Sequence, residues 1–398
     1  MKNNKFIGDN MKKKVLFLSQ EIWDLGYNSG MTSFNRILEK ANEIFNTIIF
    51  KTDEYYVDAG CVKNFKKVTN DFKNRYVNYL VNILSYIKIN ILYFIYGVLL
   101  KEKPDVIYVS SSFPAISGYL LSKYYSVPYI QRQYGTFLFR KLDSLFELVK
   151  YHAEVISYLL PADKFIITDD GTYGDKVADF FKISPNKILF LKNGIEKHTR
   201  FNKEECRKAI LEELNLPVDS FLIISVSRLV GWKRVDRAIN AVNMINDKNI
   251  FFLVIGDGEK RSYYENIKKN DNIIFLGALP NITVQKYMAG CDVFLSLYDI
   301  SNLGNPLFEA MNAGLAIITL DNGDTKSIYD NNMILLDCSS EEEIVKNVYE
   351  KIFYLKSNAK IRKRIGVEAE AYINGKVLSW EERISIEIKE ILYWSNIK

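Results

Sequence analysis

At 398 residues the chain is long for one hydrophobic core and comfortable for two, and 48% hydrophobic with 25% charged residues is an ordinary globular balance. Four cysteines (Cys61, Cys206, Cys291, Cys338) form no C-x-x-C pair and only His152 and His198 are present, which speaks against a zinc site, a disulfide framework or histidine-rich metal chemistry and suits a reducing compartment. The net charge of +5 is uneven: residues 1–200 hold 28 Lys/Arg against 20 Asp/Glu, and the remainder holds 25 against 28.

The first ten residues, MKNNKFIGDN, are polar and read as a disordered leader, with no secretory signal. VLFLS (15–19) reads as a buried strand, followed by the loop EIWDLGYNSG, a helix over 31–43 and the strand NTIIFK (46–51). Over 63–88, Lys63, Lys66, Lys67, Lys73, Arg75 and Lys88 face only Asp71, ahead of an apolar window at 76–100. This pattern reads first as a solvated helix face, with an anionic membrane surface as the alternative. Asn78, Asn82, Lys88 and Asn90 argue against a spanning helix, since lysine alone costs about 2.5–3.5 kcal/mol at mid-bilayer.

A helical span over 71–101 leads to the strand VIYVSS (106–111), the helix PAISGYLLSKYY and the strand segment VPYIQRQYGTF (127–137). A long helix around 141–159 follows, then KFIITDD (164–170), a short helix over 172–181 and KILFLKNGI (187–195). His152 is read as a structural residue, and Asp169-Asp170 as the cap of the next helix. The alternation restarts after the charged helix KEECRKAILEELNL (203–216), with strands FLIISVSRL (221–229), FFLVIGDG (251–258), IIFLG (273–277), VFLSLY (293–298) and AIITL (316–320) separated by helices. Strands alternating with helices at this spacing imply parallel sheets. The fold expected is α/β, two doubly wound Rossmann-like domains over 11–200 and 201–377 facing across a cleft. The helical segment 378–398 packs back across them.

Two stretches of the second half carry candidate chemistry. Arg228 ends a strand and Lys233 follows at the start of a helix, a placement that suits a pyrophosphate. The stretch DISNLGNPLFEAMNAG (299–314) follows another strand and opens a helix, with Asn305 expected as N-cap, Pro306 at the first helical position and Gly314 at C′. Glu309 then lies near the carboxyl end of the strand, where open parallel sheets bind ligands, and can grip a ribose.

SVSRLVGWKRVDRAINA, IGDGEKR, IIFLGALP and NLGNPLFEAMNAGLAII resemble, in that order and spacing, the family 4 retaining glycosyltransferases of the GT-B fold. KILFLKNGIE resembles the family's interdomain segment, and the loop ending in Ser29-Gly30-Met31 its N-terminal acceptor-side loop. The resemblance implies a nucleotide-sugar donor held mainly by the C-terminal half. Arg228 and Lys233 would carry the diphosphate, met by the Gly30 backbone from the other domain. Glu309 would hold the ribose, and the backbone near Leu279 would read the base. Gly256, Ser301, Gly304 and Asn305 complete the implied donor site, and Tyr134 joins Arg228 and Lys233 as the implied catalytic residues. No metal or cofactor is expected.

The implied acceptor is a glycan or lipid-linked saccharide on the N-terminal half, with no nucleic acid partner. The expected location is cytoplasmic, peripheral at the inner membrane face if the membrane alternative holds. Two departures stand out. The family's E-x7-E pair is reduced to Ser301 and Glu309, and Tyr134, with Arg132 nearby, stands in the position of an H-G-T histidine. They motivate an alternative, a catalytically degenerate nucleotide-sugar-binding subunit. A nucleotide-sugar epimerase is a third reading, for which no extra acid/base carboxylates are placed.

Overall fold

Apolar runs too short for helices assemble into two all-parallel sheets in the computed structural model, which describes residues 12–19, 33–51, 61–64, 75–197 and 201–397. The first sheet contains β1 (Lys14–Ser19), β2 (Asn46–Lys51), β3 (Cys61–Asn64), β4 (Val106–Ser110), β5 (Tyr129–Gln133), β6 (Lys164–Thr168) and β7 (Ile188–Leu191), in the order β3-β2-β1-β4-β5-β6-β7. The second contains β8 (Phe221–Val226), β9 (Ile250–Ile255), β10 (Ile273–Gly277), β11 (Val293–Ser296), β12 (Ala316–Leu320) and β13 (Ile334–Leu336), in the order β10-β9-β8-β11-β12-β13. Strands such as VLFL and FLII are apolar at successive positions because helices cover both faces of a parallel sheet, and Val15 to Leu18 are fully buried.

Both domains therefore wind outward from their first strand and reverse at their fourth, as the sequence alternation implies. The reversal leaves a crevice between β1 and β4 in one domain and between β8 and β11 in the other. Local differences from the sequence reading have local causes. Lys63 lies on the edge strand β3, and the helix begins at Arg75 and ends at Val98. The predicted helix over 141–159 is broken at Tyr151 into Leu145–Lys150 and His152–Leu159, the first capped by Ser144. The helices Glu341–Ser357 and Ala359–Lys376, unplaced from sequence, cover the second sheet. The leader, 1–10, lies outside the described residues.

The helix Trp380–Ser395 returns to the N-terminal domain, its start fixed by a capping box between Ser379 and Glu382. Trp380, Ile384, Ile388 and Ile391 pack into the core formed by Val15, Phe17, Phe34 and Tyr108. The same helix brings Arg383 and Glu387 against Arg132 and Tyr108, all buried. Glu387 accepts hydrogen bonds from Arg383 and Tyr108, and Arg132 Nε lies 3.3 Å from its Oε1. Burial alone would raise the Glu387 carboxyl, but the Arg383 and Arg132 charges outweigh it and hold it low. Arg132 is thus committed to the core, beside Tyr134 as its place in the sequence suggests.

Glu387 is the carboxylate between these two buried guanidiniums. Glu387→Ala is expected to destabilise the protein by about 3–5 kcal/mol, because it strands buried charge, and to lower the urea midpoint accordingly.

Candidate active site

β8 and β11 pair in parallel, Val293 beside Ile223 and Phe294 beside Ile224, so their following loops leave the sheet as neighbours. The Asp299 N–H donates to the Trp232 carbonyl at 3.0 Å, joining the two loops directly. A charge cluster locks them. Arg234, in a left-handed conformation (φ 47°), leads into the helix Val235–Asn243 and pairs with Asp236, Asp299 and Glu341. Arg237 reaches Asp299 at 2.8 Å and Glu341 at 2.6 Å, and donates to the Leu297 carbonyl at 2.7 Å. Hydrogen bonds from Arg237, then Arg234, hold the Glu341 carboxyl down at about 2. Nothing in the motifs flagged Glu341, which lies in a stretch that sequence reasoning left unread.

Arg228, Gly256, Leu279, Asn305 and Glu309 line one pocket of about 280 Å³ at this crevice, together with Asn281. Gly256 has φ +134°, and a Cβ there would collide with the Ser227 carbonyl oxygen, so only glycine lets β9 close against the β8 loop. Asn281 donates to Glu309 Oε1 at 3.1 Å. Burial pushes the Glu309 carboxyl up to about 7, with Asn281 and then Arg36 pulling the other way. Asn281 was missed from sequence, although it directly follows the quoted IIFLGALP motif. The helix Asn305–Asn312 is capped by Gly304, whose extended backbone accepts from Leu307 N–H. Asn305 therefore occupies the first helical position instead of the expected N-cap, and its side chain is held by Asn193 at 2.8 Å. Gly314 takes the left-handed conformation expected of C′ (φ +67°).

Lys233 ends the turn Gly231–Lys233, with its ammonium 3.7 Å from the Tyr298 ring centroid and 4.0 Å from that of Trp232. Burial, and after it the Arg228 charge, bring its pKa down to about 7 against the opposing pull of Asp170 of the N-terminal domain. One ammonium and one carboxyl close to their charge transitions at neutral pH, Lys233 and Glu309, thus lie around one crevice beside Arg228. That arrangement suits an anionic ligand bearing hydroxyls.

Residues 207–371 match the family model described as glycosyl transferases group 1. The chain is 27% identical over 157 residues to a Bacillus subtilis protein named as a teichuronic acid biosynthesis glycosyltransferase, covering 39% of each. It is 26% identical over 266 residues to an Escherichia coli UDP-Gal:α-D-GlcNAc-diphosphoundecaprenol α-1,3-galactosyltransferase, covering 61% of this chain and 65% of that one. The chain thus spans less than two thirds of the length of either curated relative. Among solved structures, Anabaena HepE in complex with UDP-glucose superposes with a TM-score of 0.71 at 15% identity, covering 96% of this chain and 99% of that one. The fold is GT-B.

Other predicted residues of this GT-B chain stand apart from the pocket. Ser301 is buried at the domain interface, donating to the Asp170 carbonyl at 2.6 Å and accepting from Leu303 N–H. Tyr134 lines a second pocket of about 310 Å³ beyond β4 and β5, with Ser111, Gln133, His152 and Glu154. Its hydroxyl shares a 2.8 Å hydrogen bond with Ser110, and the Arg132 guanidinium lies 4.6 Å from its ring centroid. Glu154, which sequence reasoning did not single out, is pushed up to about 7 by burial and accepts from Thr136. Gly30 lies outside the described residues. Asp170 accepts from Thr172 N–H and hydroxyl instead of capping the helix Gly174–Phe180, whose N-cap is Tyr173. Among the described residues no group of three or more His, Cys, Asp and Glu side chains is placed to hold a metal ion.

Gly256→Ala is expected to cost about 1–3 kcal/mol through backbone strain and to lower the thermal midpoint. Gly304→Ala is the control: its backbone is ordinary, an added Cβ meets only Pro306 Cδ at 3.6 Å, and the midpoint should stay within a degree or so of wild type.

Proposed function

We propose that the chain is a family 4 glycosyltransferase moving a sugar from a nucleotide-activated donor to an acceptor glycan or lipid-linked saccharide, with retention and without metal. The observation carrying this reading is the crevice between β8 and β11, where Arg228, Gly256, Leu279, Asn305 and Glu309 converge beside Lys233. The diphosphate binds Arg228 and Lys233, Glu309 accepts from the ribose hydroxyls, and the base lies over the Leu279 backbone. The family resemblance would add the Gly30 backbone to the diphosphate contacts. As the bond between sugar and phosphate breaks through an oxocarbenium-like state, negative charge grows on the diphosphate, and the two cations stabilise it. The departing phosphate takes the acceptor hydroxyl proton, so no protein base is required.

The acceptor occupies the pocket beside Tyr134, which donates a hydrogen bond to a sugar hydroxyl. Ser301 stands where a family glutamate would reach the sugar. With its hydroxyl tied to Asp170, it influences sugar choice through the loop it anchors. Two relatives support this reading: HepE has been crystallised with UDP-glucose, and the Escherichia coli relative is named for a diphosphoundecaprenol-linked acceptor. A non-catalytic binding subunit is not favoured, since both curated relatives are named as glycosyltransferases. The work is cytoplasmic and involves no nucleic acid.

A thermal-shift panel of nucleoside diphosphates and their sugars tests the donor assignment, because a ligand of the native state raises the midpoint. Turnover should survive EDTA, and NMR of the product should report the donor's anomeric configuration. A panel without any shift removes the reading.

Arg228→Ala and Lys233→Ala should each weaken nucleotide-sugar binding roughly ten- to a hundredfold while leaving circular dichroism unchanged. The pH dependence has a defined sign. Binding needs Lys233 charged, and its free pKa of about 7 means that affinity falls as pH rises above 7. Binding also needs Glu309 ionised, and its value of about 7 means that affinity falls as pH drops below 7. Calorimetry should therefore give a maximum near neutrality. Lys233→Ala should abolish the alkaline limb and Glu309→Gln the acid limb.

A further inference from the structure

The helix Arg75–Val98 has two contrasting faces. Its inner face is stitched to the N-terminal domain by polar groups: Asn90 donates to the Phe113 carbonyl and accepts from Ser117 N–H, both at 2.9 Å, and Tyr93 donates to the Ser19 carbonyl at 2.7 Å. Its outer face carries Val77, Leu80, Leu84, Ile87, Ile91 and Ile95, spaced for one side of a helix, with Leu80, Leu84 and Ile91 each more than half exposed (56%, 57% and 52%). The surface continues onto the helix Leu145–Lys150, where Leu145 and Phe146 are 78% and 72% exposed, and Tyr79 links the two helices by donating to the Val149 carbonyl at 2.9 Å. At the other end it runs on to Leu120 and Tyr124 of the helix Ala115–Tyr125. An apolar face drawn from three helices exceeds what a solvated surface ordinarily carries. Of the basic stretch read as a solvated helix face, Lys88 is exposed and residues 65–74 lie outside the described residues.

We propose that this face docks on an anionic lipid bilayer and presents the Tyr134 pocket to an acceptor whose lipid anchor stays in the membrane. The second half of this proposal rests on the glycosyltransferase reading above. Two features choose the bilayer over other occupants. Exposed Lys88, Lys101, Lys103 and Lys123 border the face, while nearby Glu102 is paired with Lys14 and Glu147 with Lys141 and Lys150. A cationic rim around an apolar centre matches anionic headgroups over acyl chains, whereas a second copy would bring lysines against lysines. The pocket and the face also share a wall. His152, which lines the pocket, packs edge-on against Tyr79 and Tyr86 of the apolar helix, with ring centroids 6.2 and 5.1 Å away. The helix lies along the surface and does not span: withdrawing it would break the bonds of Asn90 and Tyr93.

The test is co-sedimentation of the full-length protein with sucrose-loaded vesicles of phosphatidylcholine alone and of phosphatidylcholine with phosphatidylglycerol. Wild type should pellet with the anionic vesicles and less so as salt rises. Leu84→Glu with Ile91→Glu should reduce partitioning roughly a hundredfold, about tenfold per residue, and Leu84→Ser with Ile91→Ser should act in the same direction with less demand on folding. Lys88→Glu with Lys123→Glu should weaken binding to anionic vesicles and leave neutral ones unaffected. The thermal shift with nucleoside diphosphates is measured on every variant. Its retention where vesicle binding is lost excludes unfolding and supports the proposal. Wild type that ignores anionic vesicles at low salt overturns it. So does a solution dimer that Leu84→Glu with Ile91→Glu converts to monomer, since a second copy then covers the face. Vesicle binding without any nucleotide shift supports the docking face and removes the donor reading instead.

Discussion

The candidate site of the C-terminal domain depends on one adjacency, the parallel pairing of β8 with β11. These strands are separated in sequence by two strand–helix units, yet the reversal of winding makes them neighbours, and loops about seventy residues apart emerge together. Parallel strands expose helix starts and loop backbone at their carboxyl ends, so the crevice between two oppositely wound halves is where polar groups can converge without breaking the core. The hydrogen bond from Asp299 to Trp232 and the cluster of Arg234, Arg237, Asp299 and Glu341 tie together the loops that border that crevice. Because Glu341 is half exposed, the cluster is better regarded as a positioning device than as a large source of stability.

Charges in the crevice are held close to their transitions. Lys233 rests on two aromatic rings beside the Arg228 charge, and Glu309 lies in a buried site relieved by Asn281. A site of this kind favours an anionic ligand that would stabilise the charged form of Lys233.

The two domains are joined by more than their connecting segment. Ile195 bridges to Ser379, and the last helix completes the N-terminal core after the chain has built the C-terminal one. Contacts between the domains near the crevice include short polar ones, Ser301 to Asp170, Tyr173 to the Gly323 carbonyl and Asn193 to Asn305, beside the edge-on packing of Phe137 on Trp232. Polar interdomain contacts of this kind can be exchanged for water at modest cost, so they are compatible with opening and closing around a ligand. The Arg132–Glu387–Arg383 cluster lies on the other side of this balance. It is fully buried and fixes the returning helix to β5.

Local pattern determined much of this protein from its sequence alone. Apolar runs gave the buried strands, their alternation with helices gave two doubly wound domains, and Gly256 and Gly314 fell at strand and helix ends where their backbone freedom is used. These are properties of a few neighbouring residues, governed by backbone sterics and periodicity. Only the tertiary structure decided what depends on distant packing. Arg132 is next to a binding loop in sequence, yet the last helix, more than two hundred residues away, encloses it. Ser301 had a free hydroxyl on paper and has a partner in the other domain. The helix Arg75–Val98 is apolar on most of its circumference, so periodicity could not say which side is inward. Its polar Asn90 turned inward because the domain supplies it with hydrogen bonds, and that left the leucines and isoleucines outside.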